Sequence, residues 1–554
     1  MKKRILKFSL YVVAFLLIAL TAFLLLIQIE EPKPKNLSYL NYQREKLDTN
    51  YYKLDNSWLR KSKSGLWEMY LEGSPFEQGV KNGKLSKELV VIQEEAFVDE
   101  IKKIIPSEFY LNFLKYFIAW FNRKLPEHIL TEYQFEIYGI SHSFSDTYDF
   151  IAPKYHRILN YHAAHDIGHA LQEMNMVGCT SFSLWNNRTT DSSLIVGRNF
   201  DFYVGDKFAE NKIVCFVKPD SGYRFMYITW GGMIGVVSGM NETGLTVTIN
   251  AGKSEVPSQA ATPISLLARE ILQYASTIDE AYNIAQKRKT FVSESIMIGS
   301  KKDNQTAIIE KTPEKIGIKY SNENQIICSN HFQSSTFNDD ALNIANINES
   351  DSPYRYKRVE QLLKTNSHFS VEKAAQVLRD KQGVDNTNIG LGNQKAINLL
   401  NAHHSVIFNV HKGLVWISTS PWQVGEYVCY DFKKVFSEQR DFNSNNELII
   451  DSLTIPVDSF LFTENYKRFI EFKKEKNEIL TLLKNDKPLE ITTQRIENFV
   501  KLNPNYFYTW QLVGDYYTAI GNFELAKTAY KTALEKETSS LNEQLAIEKK
   551  LKNL

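Results

Sequence analysis

The amino-acid sequence predicts an α+β fold, in which two stacked sheets of mainly antiparallel strands are covered by layers of helices. Short β-rich runs follow one another from residue 179 to about 432, and helical stretches separate groups of these runs. Mainly helical regions precede and follow this block. Hydrophobic residues make up 43% of the chain, which is ample for the large packed core that such a fold needs.

The N-terminus combines a basic cluster with a long apolar run. Four cations lie within the first seven residues, and residues 8–29 carry no charge. A helix of that length, at about 1.5 Å per residue, spans roughly 33 Å and can cross a bilayer. The basic cluster predicts a cytoplasmic N-terminus and an exported catalytic block, periplasmic or extracellular. A cleaved signal peptide is the alternative, but no small-residue cleavage site precedes Glu30.

The composition divides the remaining chain into segments. We predict a basic end and membrane anchor over 1–30, a polar stalk over 31–57, a helical pro-segment over 58–178, the β-rich block over 179–440 and a helical C-terminal region over 441–554. The last region contains one tetratricopeptide-like spacing, formed by Trp510, Gly514, Tyr517, Ala526, Tyr530 and Ala533. A single unit predicts a helical hairpin packed on the main domain rather than a peptide-binding array.

Charge and cysteine usage exclude several classes of function. The net charge of +1 gives no basic footprint, so no nucleic-acid partner is expected. The four cysteines form no CxxC pair, and no metal or other cofactor is predicted. The pair His165 and His169 has i,i+4 spacing, but the glutamate of a HExxH zinc motif is absent, which favours a packing or processing role.

Cys179 differs from the other three cysteines. Cys215, Cys328 and Cys429 lie in apolar runs typical of buried strands, whereas Cys179 follows a glycine and precedes small polar residues. A turn-like stretch separates it from SLIVGRNFDF, so a hairpin can return Arg198 and Asp201 towards it. Residues three apart on a strand point to opposite faces, so both converge on Cys179 only through a bend or from a strand end. A surface hairpin carrying a salt bridge is the competing interpretation.

Five motifs occur in an order that resembles a known family. They are LEGSPFEQGVKNGKL (71–85), GCTSF with GRNFDF, SGMNETGLTVTIN (238–250), ICSNHF (327–332) and SPYRYKR (352–358). This series resembles the acyl-coenzyme A:6-aminopenicillanic acid acyltransferase-like branch of the cysteine N-terminal-nucleophile (Ntn) hydrolases. Bile salt hydrolases, penicillin V acylases and acid ceramidase are more distant relatives. The resemblance implies a four-layer αββα Ntn-hydrolase sandwich for the block 179–440.

The resemblance also implies roles for single residues. Cleavage of the chain by itself between Gly178 and Cys179 would yield chains 1–178 and 179–554 and leave Cys179 as an N-terminal nucleophile. Its free α-amino group, with an ordinary pKa of about 7.7–8.0, would serve as the general base. Asp201 would hold that amine, Arg198 would favour the thiolate, Asn330 would donate to the oxyanion and Arg355 would pair with the carboxylates. Asn250 is a further candidate oxyanion donor.

The expected reaction is cleavage of a linear amide through an acyl-enzyme on Cys179, or transfer of the acyl group to an amine. The expected partners are a small acyl-amide substrate and the membrane. Two other classes remain open from the sequence. One is a non-catalytic anchored protein that binds partners through its helical tail. The other is a papain-like protease, for which His403, His404 and His411 are available.

Overall fold

The computed structural model describes residues 2–104, 107–170, 177–202, 205–255, 259–437, 446–485 and 487–554. The chain opens with a long helix, α1 (Lys2–Leu26). Four strands follow: β1 (Glu45–Asp48), β2 (Tyr51–Leu54), β3 (Ser57–Lys61) and β4 (Trp67–Gly73). Five helices lead to the site: α2 (Pro75–Leu85), α3 (Lys87–Ile104), α4 (Glu108–Asn122), α5 (Thr131–Ser141) and α6 (Lys154–Ala170).

The β-rich block then begins with β5 (Val177–Asn186) and β6 (Ser192–Phe202). It continues through α7 (Asp206–Glu210), β7 (Ile213–Pro219), β8 (Phe225–Thr229), β9 (Ser238–Asn241), β10 (Leu245–Ala251), α8 (Ile264–Tyr274) and α9 (Ile278–Lys287). The next elements are β11 (Glu294–Ser300), β12 (Gln305–Lys311), β13 (Ile316–Lys319), β14 (Gln325–Cys328), α10 (Ala341–Glu349), α11 (Ser352–Lys364) and α12 (Val371–Leu378). The block ends with β15 (His404–Asn409), β16 (Leu414–Ser418), β17 (Tyr427–Asp431) and α13 (Phe432–Val435).

The described strands form two sheets. The larger sheet has the order β1-β2-β3-β4-β7-β8-β9-β10-β11-β12-β13, and the smaller has the order β14-β5-β6-β15-β16-β17. Among the described pairs, β4 and β7 are parallel and the others are antiparallel. Side chains from both sheets share one core, in which Val196 of β6 and Phe216 of β7 take part.

Each sheet is covered by helices on its other face. Residues of α5, α6, α8 and α9 pack on the larger sheet, and residues of α11 and α12 pack on the smaller. Both faces of the larger sheet are buried, as the alternation of side chains along β7 illustrates. One face, towards the helices, carries Ile213, Cys215 and Val217, and the other, towards the smaller sheet, carries Val214 and Phe216. The order of layers is therefore helix, sheet, sheet, helix. The predicted α+β class, with large sheets and a helical C-terminal region, is confirmed.

The structure corrects one segment drawn from the sequence and refines another. The segment 31–57 is not a stalk, because it contains β1, β2 and the start of β3, and these strands pair into the larger sheet. The segment 58–178 is not wholly helical, because it contains most of β3 and all of β4. Of these strands only β1 forms the edge of the sheet. Strands β3 and β4 are mostly buried, but the buried ion pair of Arg60 and Glu68 interrupts the apolar runs expected of central strands.

The C-terminal region consists of α14 (Glu464–Lys484), α15 (Thr493–Leu502), α16 (Phe507–Ala519), α17 (Phe523–Leu534) and α18 (Leu541–Lys552). Residues of α14, α15 and α16 share a core with Leu400, Trp422 and Val424 of the β-rich block. In the hairpin of α16 and α17, a Cβ added to Gly514 would lie 2.4 Å from the ring of Tyr530. The glycine therefore permits the close approach of the two helices.

Candidate active site

The hairpin predicted between Cys179 and Arg198 is present in the structure. Strands β5 and β6 pair in a continuous antiparallel register from residue 177 to 184, which sets Cys179 opposite Phe200, Gly178 opposite Asp201 and Ser181 opposite Arg198. The strands turn through Asn186 and Ser192, which both have positive φ angles. Because Val177 opens β5, the Gly178–Cys179 bond lies inside the strand and not in a loop.

Alternation along β6 places Arg198 and Asp201 on opposite faces of the smaller sheet. Arg198 lies between the sheets, where its guanidinium reaches the backbone of β10. Asp201 belongs to the face that carries Asn199, whose amide donates to Leu378 O and Ile397 O on the helix side. No bulge interrupts this part of the described strand. Asp201 approaches the site because it is the penultimate residue of β6.

Arg198 is fixed by several acceptors besides the thiol. Its Nη1 donates to Val237 O at 3.0 Å and to Ser238 Oγ at 2.6 Å, and its Nη2 donates to Ile249 O. The same Nη2 lies 3.5 Å from Cys179 Sγ. Burial lowers the pKa of Arg198, but a guanidinium stays charged in proteins. The arginine therefore presents a fixed positive charge to the sulfur atom.

The Cys179 thiol is deeply buried, and 1% of the residue is exposed. Burial raises its pKa to about 11, Arg198 and Arg355 oppose the shift, and Asp201 and Glu294 add to it. The intact chain therefore holds a protonated thiol at neutral pH. A base next to the sulfur atom is needed before this thiol can act as a nucleophile.

Asp201 is a buried carboxylate beside the predicted cleavage point. Neither of its oxygens has a hydrogen-bond partner among the residues that the structure describes. Burial raises its pKa to about 8, against the opposing charges of Arg355 and Arg198. A buried acid without partners costs stability, and such sites warrant a functional explanation.

Two side chains hold the main chain of Cys179. Its N–H donates to Asn330 Oδ1 at 3.0 Å, and Arg355 Nη1 donates to its carbonyl oxygen at 2.7 Å. Arg355 Nη2 also donates to Asn330 Oδ1 at 2.8 Å and to Asp351 Oδ1 at 3.0 Å. Arg355 thus links Cys179, Asn330 and Asp351, and all five predicted site residues lie in one cluster around Cys179.

The geometry refines the expected role of Asn330. Its Oδ1 accepts from Cys179, and its Nδ2 donates to Ala251 O at 2.9 Å, so one of its two N–H groups is committed elsewhere. Asn250 is not directed at an oxyanion, because its Nδ2 contacts Cys328 O and Ser329 O. Its Oδ1 accepts from Ser181 Oγ at 2.9 Å. The catalytic roles of all these residues remain predictions.

A buried chain behind Arg198 was not predicted. Ser238 Oγ accepts from Arg198 Nη1 and lies 2.9 Å from His404 Nε2, and His404 Nδ1 lies 2.9 Å from His403 Nδ1. Burial and nearby positive charges hold the pKa of His404 well below its ordinary value, so the ring is neutral. Because Arg198 only donates, Ser238 donates its own hydrogen to His404. The HH pair offered a weak sequence signal, but nothing linked it to Ser238.

The structure also decides on the histidine alternatives as far as it describes them. His404 reaches Cys179 only through Ser238 and Arg198, and His411 Nδ1 accepts from Leu194 N on the far part of β6. Neither contact resembles a cysteine–histidine pair. His165 and His169 lie on α6, and their side chains fall outside the described part of the structure. Cys215, Cys328 and Cys429 are buried strand residues, as predicted.

An aromatic pocket lies at the end of the β5–β6 hairpin. Phe202 lines it and stacks on Phe200, the residue opposite Cys179, with ring centroids 5.7 Å apart. The free volume of the pocket is small, about 40 Å³, and the pocket is partly open to solvent. Its other aromatic walls are Phe97, Phe144, Tyr161, Phe208 and Trp230. The pocket is mainly apolar, and it meets the candidate site through the contact of Phe202 with Phe200.

Comparison with known proteins identifies relatives of the β-rich block. Residues 185–420 match the family described as acyl-coenzyme A:6-aminopenicillanic acid acyl-transferase. An uncharacterised protein of Archaeoglobus fulgidus is 26% identical over 281 residues, which cover 46% of this chain and 45% of that protein. Protein dcd1B of Dictyostelium discoideum is 22% identical over 268 residues, covering 45% of this chain and 51% of its own length. The chain thus spans about half the length of these relatives.

Two solved structures are also similar. An N-acylethanolamine-hydrolyzing acid amidase ortholog of Caenorhabditis elegans has 18% identity and a TM-score of 0.31, covering 42% of this chain and 93% of its own. A mutant conjugated bile acid hydrolase of Clostridium perfringens has 13% identity and a TM-score of 0.32, covering 49% and 96%. The family match begins shortly after Cys179 and includes Arg198, Asp201, Asn330 and Arg355. Over residues 185–420 this chain therefore resembles the acyl-coenzyme A:6-aminopenicillanic acid acyl-transferase family, which confirms the recognition made from the ordered motifs.

Proposed function

We propose that this protein is a self-activating amide hydrolase in which Cys179, once N-terminal, forms an acyl-enzyme. The observation that carries the proposal is the position of a thiol and a buried acid around one peptide bond, where the acid has no hydrogen-bond partner among the described residues. Cys179 Sγ faces Arg198, and Asp201 lies opposite Gly178 in the register of β5 and β6. The family match supports an amide-bond hydrolase or acyltransferase type of activity.

Self-cleavage would begin with attack of Cys179 Sγ on the carbonyl carbon of Gly178. The carbon–nitrogen bond breaks, the Cys179 nitrogen takes up a proton, and a thioester forms between Gly178 and Sγ. Water then hydrolyses the thioester, which releases the Gly178 carboxylate and the free thiol. A Cβ at position 178 would make only an ordinary contact with Arg355, 3.7 Å from Nη2, so the described structure also has space for alanine there.

The buried carboxylate of Asp201 would bind the new α-amino group that cleavage produces. Cleavage would place a free α-amino group next to the position that Gly178 vacates, on the side of Asp201. An ammonium there would supply the partner that both carboxylate oxygens lack in the described residues. Its positive charge would also lower the pKa of the neighbouring thiol, which burial raises to about 11 in the intact chain.

Turnover would then use the amine of Cys179 as its own general base. The neutral amine takes the thiol proton, Sγ attacks the substrate carbonyl, and the proton passes to the leaving amine. Water hydrolyses the resulting thioester. Asn330 would offer its second N–H to the oxyanion, an interaction worth about 2.7–4 kcal/mol in comparable sites. Arg355 would keep Asn330 and the Cys179 backbone in place through its two contacts.

The substrate class follows from the pocket and the proposed topology. Aromatic walls next to Phe200 suit an apolar acyl or aryl group on a linear amide. We propose that α1 is retained as a single-pass anchor with a cytoplasmic N-terminus, which places the site outside the cytoplasm. Acyl-coenzyme A is scarce there, so hydrolysis is favoured over acyl transfer from that donor. A purely non-catalytic role would leave the clustered site residues without explanation.

The test is to trap the acyl-enzyme. Purified protein is mixed with a panel of N-acyl amides, quenched in acid and analysed by peptide mass spectrometry. We expect an acyl mass increase on the peptide that begins at Cys179, and steady release of free amine. The Cys179→Ala variant should show neither, and the Cys215→Ala variant should show both. Amide hydrolysis that persists in Cys179→Ala would overturn the assignment.

A further inference from the structure

Helix α4 exposes one aromatic face to solvent. Phe109 is 84% exposed, Phe113 61% and Phe117 58%, and these residues repeat at a spacing of four. Tyr116 and Trp120 are also well exposed. A spacing of four places side chains on one side of a helix. Soluble surfaces rarely carry so continuous an apolar patch, so this face marks an interaction site.

This face is continuous with the apolar helix α1. The ring of Phe23 in α1 stacks on Trp120 with centroids 5.7 Å apart, and it packs at a tilt against Tyr116 at 6.5 Å. Phe23 lies in the last turn of α1, which ends at Leu26. Residues 4–26 form the candidate membrane span. The aromatic face of α4 thus lies at the level where that span would leave the bilayer.

In the described residues, no spacer separates the apolar helix α1 from the folded domain. Ile29, three residues after the end of α1, is 8% exposed and belongs to the core on the larger sheet. Its carbonyl oxygen lies 2.8 Å from His156 Nε2 on α6. Because a stalk is absent from these described residues, an α1 that spans the membrane holds the domain, and α4 with it, against the membrane surface.

The charges around α4 fit a lipid headgroup layer. Lys115 lies on the helix, and Arg123 follows it with its guanidinium 3.8 Å from the centroid of the Trp120 ring. Lys102 and Lys103 lie in the last turn of α3, directly before α4, and Lys103 forms an ion pair with Glu100 at 2.9 Å. Tryptophan and tyrosine concentrate at both membrane–water interfaces, and cations that flank such residues can contact the phosphate groups of lipids.

We infer that α4 is an interfacial membrane helix, which inserts its aromatic face into the leaflet where α1 emerges. This inference rests on the proposed anchoring by α1 and not on the chemistry of Cys179. Helix α3 precedes α4 directly, and its Phe97 forms part of the pocket wall. Docking of α4 therefore brings the pocket close to the bilayer, from which an amide with a long acyl chain can enter.

The test measures the depth of Trp120 in the full-length protein. The protein is reconstituted in vesicles of phosphatidylcholine and phosphatidylglycerol, with and without phosphatidylcholine brominated near the headgroup end of its acyl chains. Bromine quenches tryptophan only at close range. The fluorescence of Trp120 is the difference between the unmodified protein and the Trp120→Phe variant. We expect the brominated lipid to quench most of that difference. The Trp510→Phe variant is the matched control, because Trp510 lies on α16 in the C-terminal region, and it should leave the amount of fluorescence that bromine quenches unchanged.

A second variant separates α4 from α1. Phe113 and Phe117 are exposed, so replacing both with aspartate should not disturb the core. We expect α1 to keep this variant in the vesicles, while Trp120 loses most of its quenching by brominated lipid and becomes accessible to aqueous iodide. Access of iodide to Trp120 in the unmodified protein would overturn the inference. Chemical cross-linking that shows Trp120 shielded by a second copy of the chain, instead of by lipid, would overturn it as well. Failure of the Gly178–Cys179 bond to break in the same samples would count against the proposed function alone.

Discussion

Two buried clusters in this protein contain the same three kinds of side chain. One consists of Cys179, Arg198 and Asp201, and the other of Cys215, Arg269 and Glu136. All six residues are almost fully buried. Burial raises the pKa of Cys215 to about 12 and that of Cys179 to about 11. By burial and residue type alone, the two clusters would be equal candidates for an active site.

Their partners distinguish them. Arg269 forms an ion pair with Glu136 at 3.2 Å, and it also donates to Gln273 and to Ile234 O. Arg269 is thus fully engaged by these neighbours, and its ion pair with Glu136 links α5 to α8. Asp201 has no hydrogen-bond partner in the described residues, and Arg198 turns one nitrogen towards the sulfur of Cys179. What distinguishes the candidate site is therefore not buried charge itself. It is a buried acid that lies near a thiol and has no hydrogen-bond partner among the described residues.

The largest expected effect separates the two cysteines. Cys179→Ala should abolish chain cleavage and lower amide hydrolysis by at least about 10³-fold, because it removes the nucleophile itself. Cys215→Ala removes a buried sulfur from β7 and should cost only stability. Denaturing gels and amine-release assays measure the two outcomes. Loss of hydrolysis in folded Cys215→Ala, at the level of Cys179→Ala, would erase the distinction between the clusters.

The two acids should differ in what their neutral variants lose. Asp201→Asn should slow hydrolysis by about 10²–10⁴-fold, because the amide cannot hold an ammonium as a carboxylate does. Glu136→Gln should instead lower the free energy of unfolding by about 3–5 kcal/mol, since it leaves Arg269 buried without its counter-ion. Urea unfolding and steady-state rates of the folded protein provide the measurements. An Asp201→Asn variant with unchanged rates would show that its carboxylate has no chemical role.

Two buried asparagines, Asn330 and Asn241, should differ in how much hydrolysis their alanine variants lose. Asn330→Ala should reduce hydrolysis by about 10²–10³-fold, because it removes the proposed oxyanion donor. Asn241 is also buried, but its Oδ1 accepts from Thr243 N and Leu245 N in a turn. Asn241→Ala should therefore lower the melting temperature and leave kcat of the folded protein within a few-fold. Equal kcat losses in the two variants would contradict the assignment of Asn330.

The smallest effect is a pH dependence of stability in the uncut chain. Burial raises the pKa of Asp201 from 3.8 to about 8, so the folded state keeps a proton that the unfolded state releases. The free energy of unfolding should then fall as pH rises from about 4 to about 8, by at most about 1.4 kcal/mol per unit. Urea titrations of Cys179→Ala, which stays uncut, should show this slope, and adding Asp201→Asn should reduce it. An unchanged slope would assign the dependence to other groups.

Much of the fold was predictable because its central strands and helices carry strong periodic signals. The strands β5, β6, β10 and β15 could be predicted from their apolar runs, and the ordered motifs led to the site residues. The strands β1 to β4 were missed because they are short, follow a proline-containing stretch and carry charged residues, including the buried pair Arg60 and Glu68. Spacing also could not reveal Ser238 and His404, since β6 meets them only through tertiary packing.

The site itself was predicted in composition but not in arrangement. Sequence spacing raised the difficulty that Arg198 and Asp201 should face opposite ways, and the structure retains that opposition. The two lie on either side of one peptide bond because the backbone of Cys179 runs between them, with its sulfur on the side of Arg198 and Gly178 opposite Asp201. A pattern of residues cannot show that the Gly178–Cys179 bond lies within a strand.

The most direct test of the account is the N-terminal analysis of the purified, denatured protein. Intact mass and N-terminal sequencing should find two chains, 1–178 and 179–554, with Cys179 as a new N-terminus. The Cys179→Ala variant should give one chain, and Cys215→Ala should give two. A single uncut chain that hydrolyses amides through Cys179 would contradict the central claim that the freed amine of Cys179 is the catalytic base.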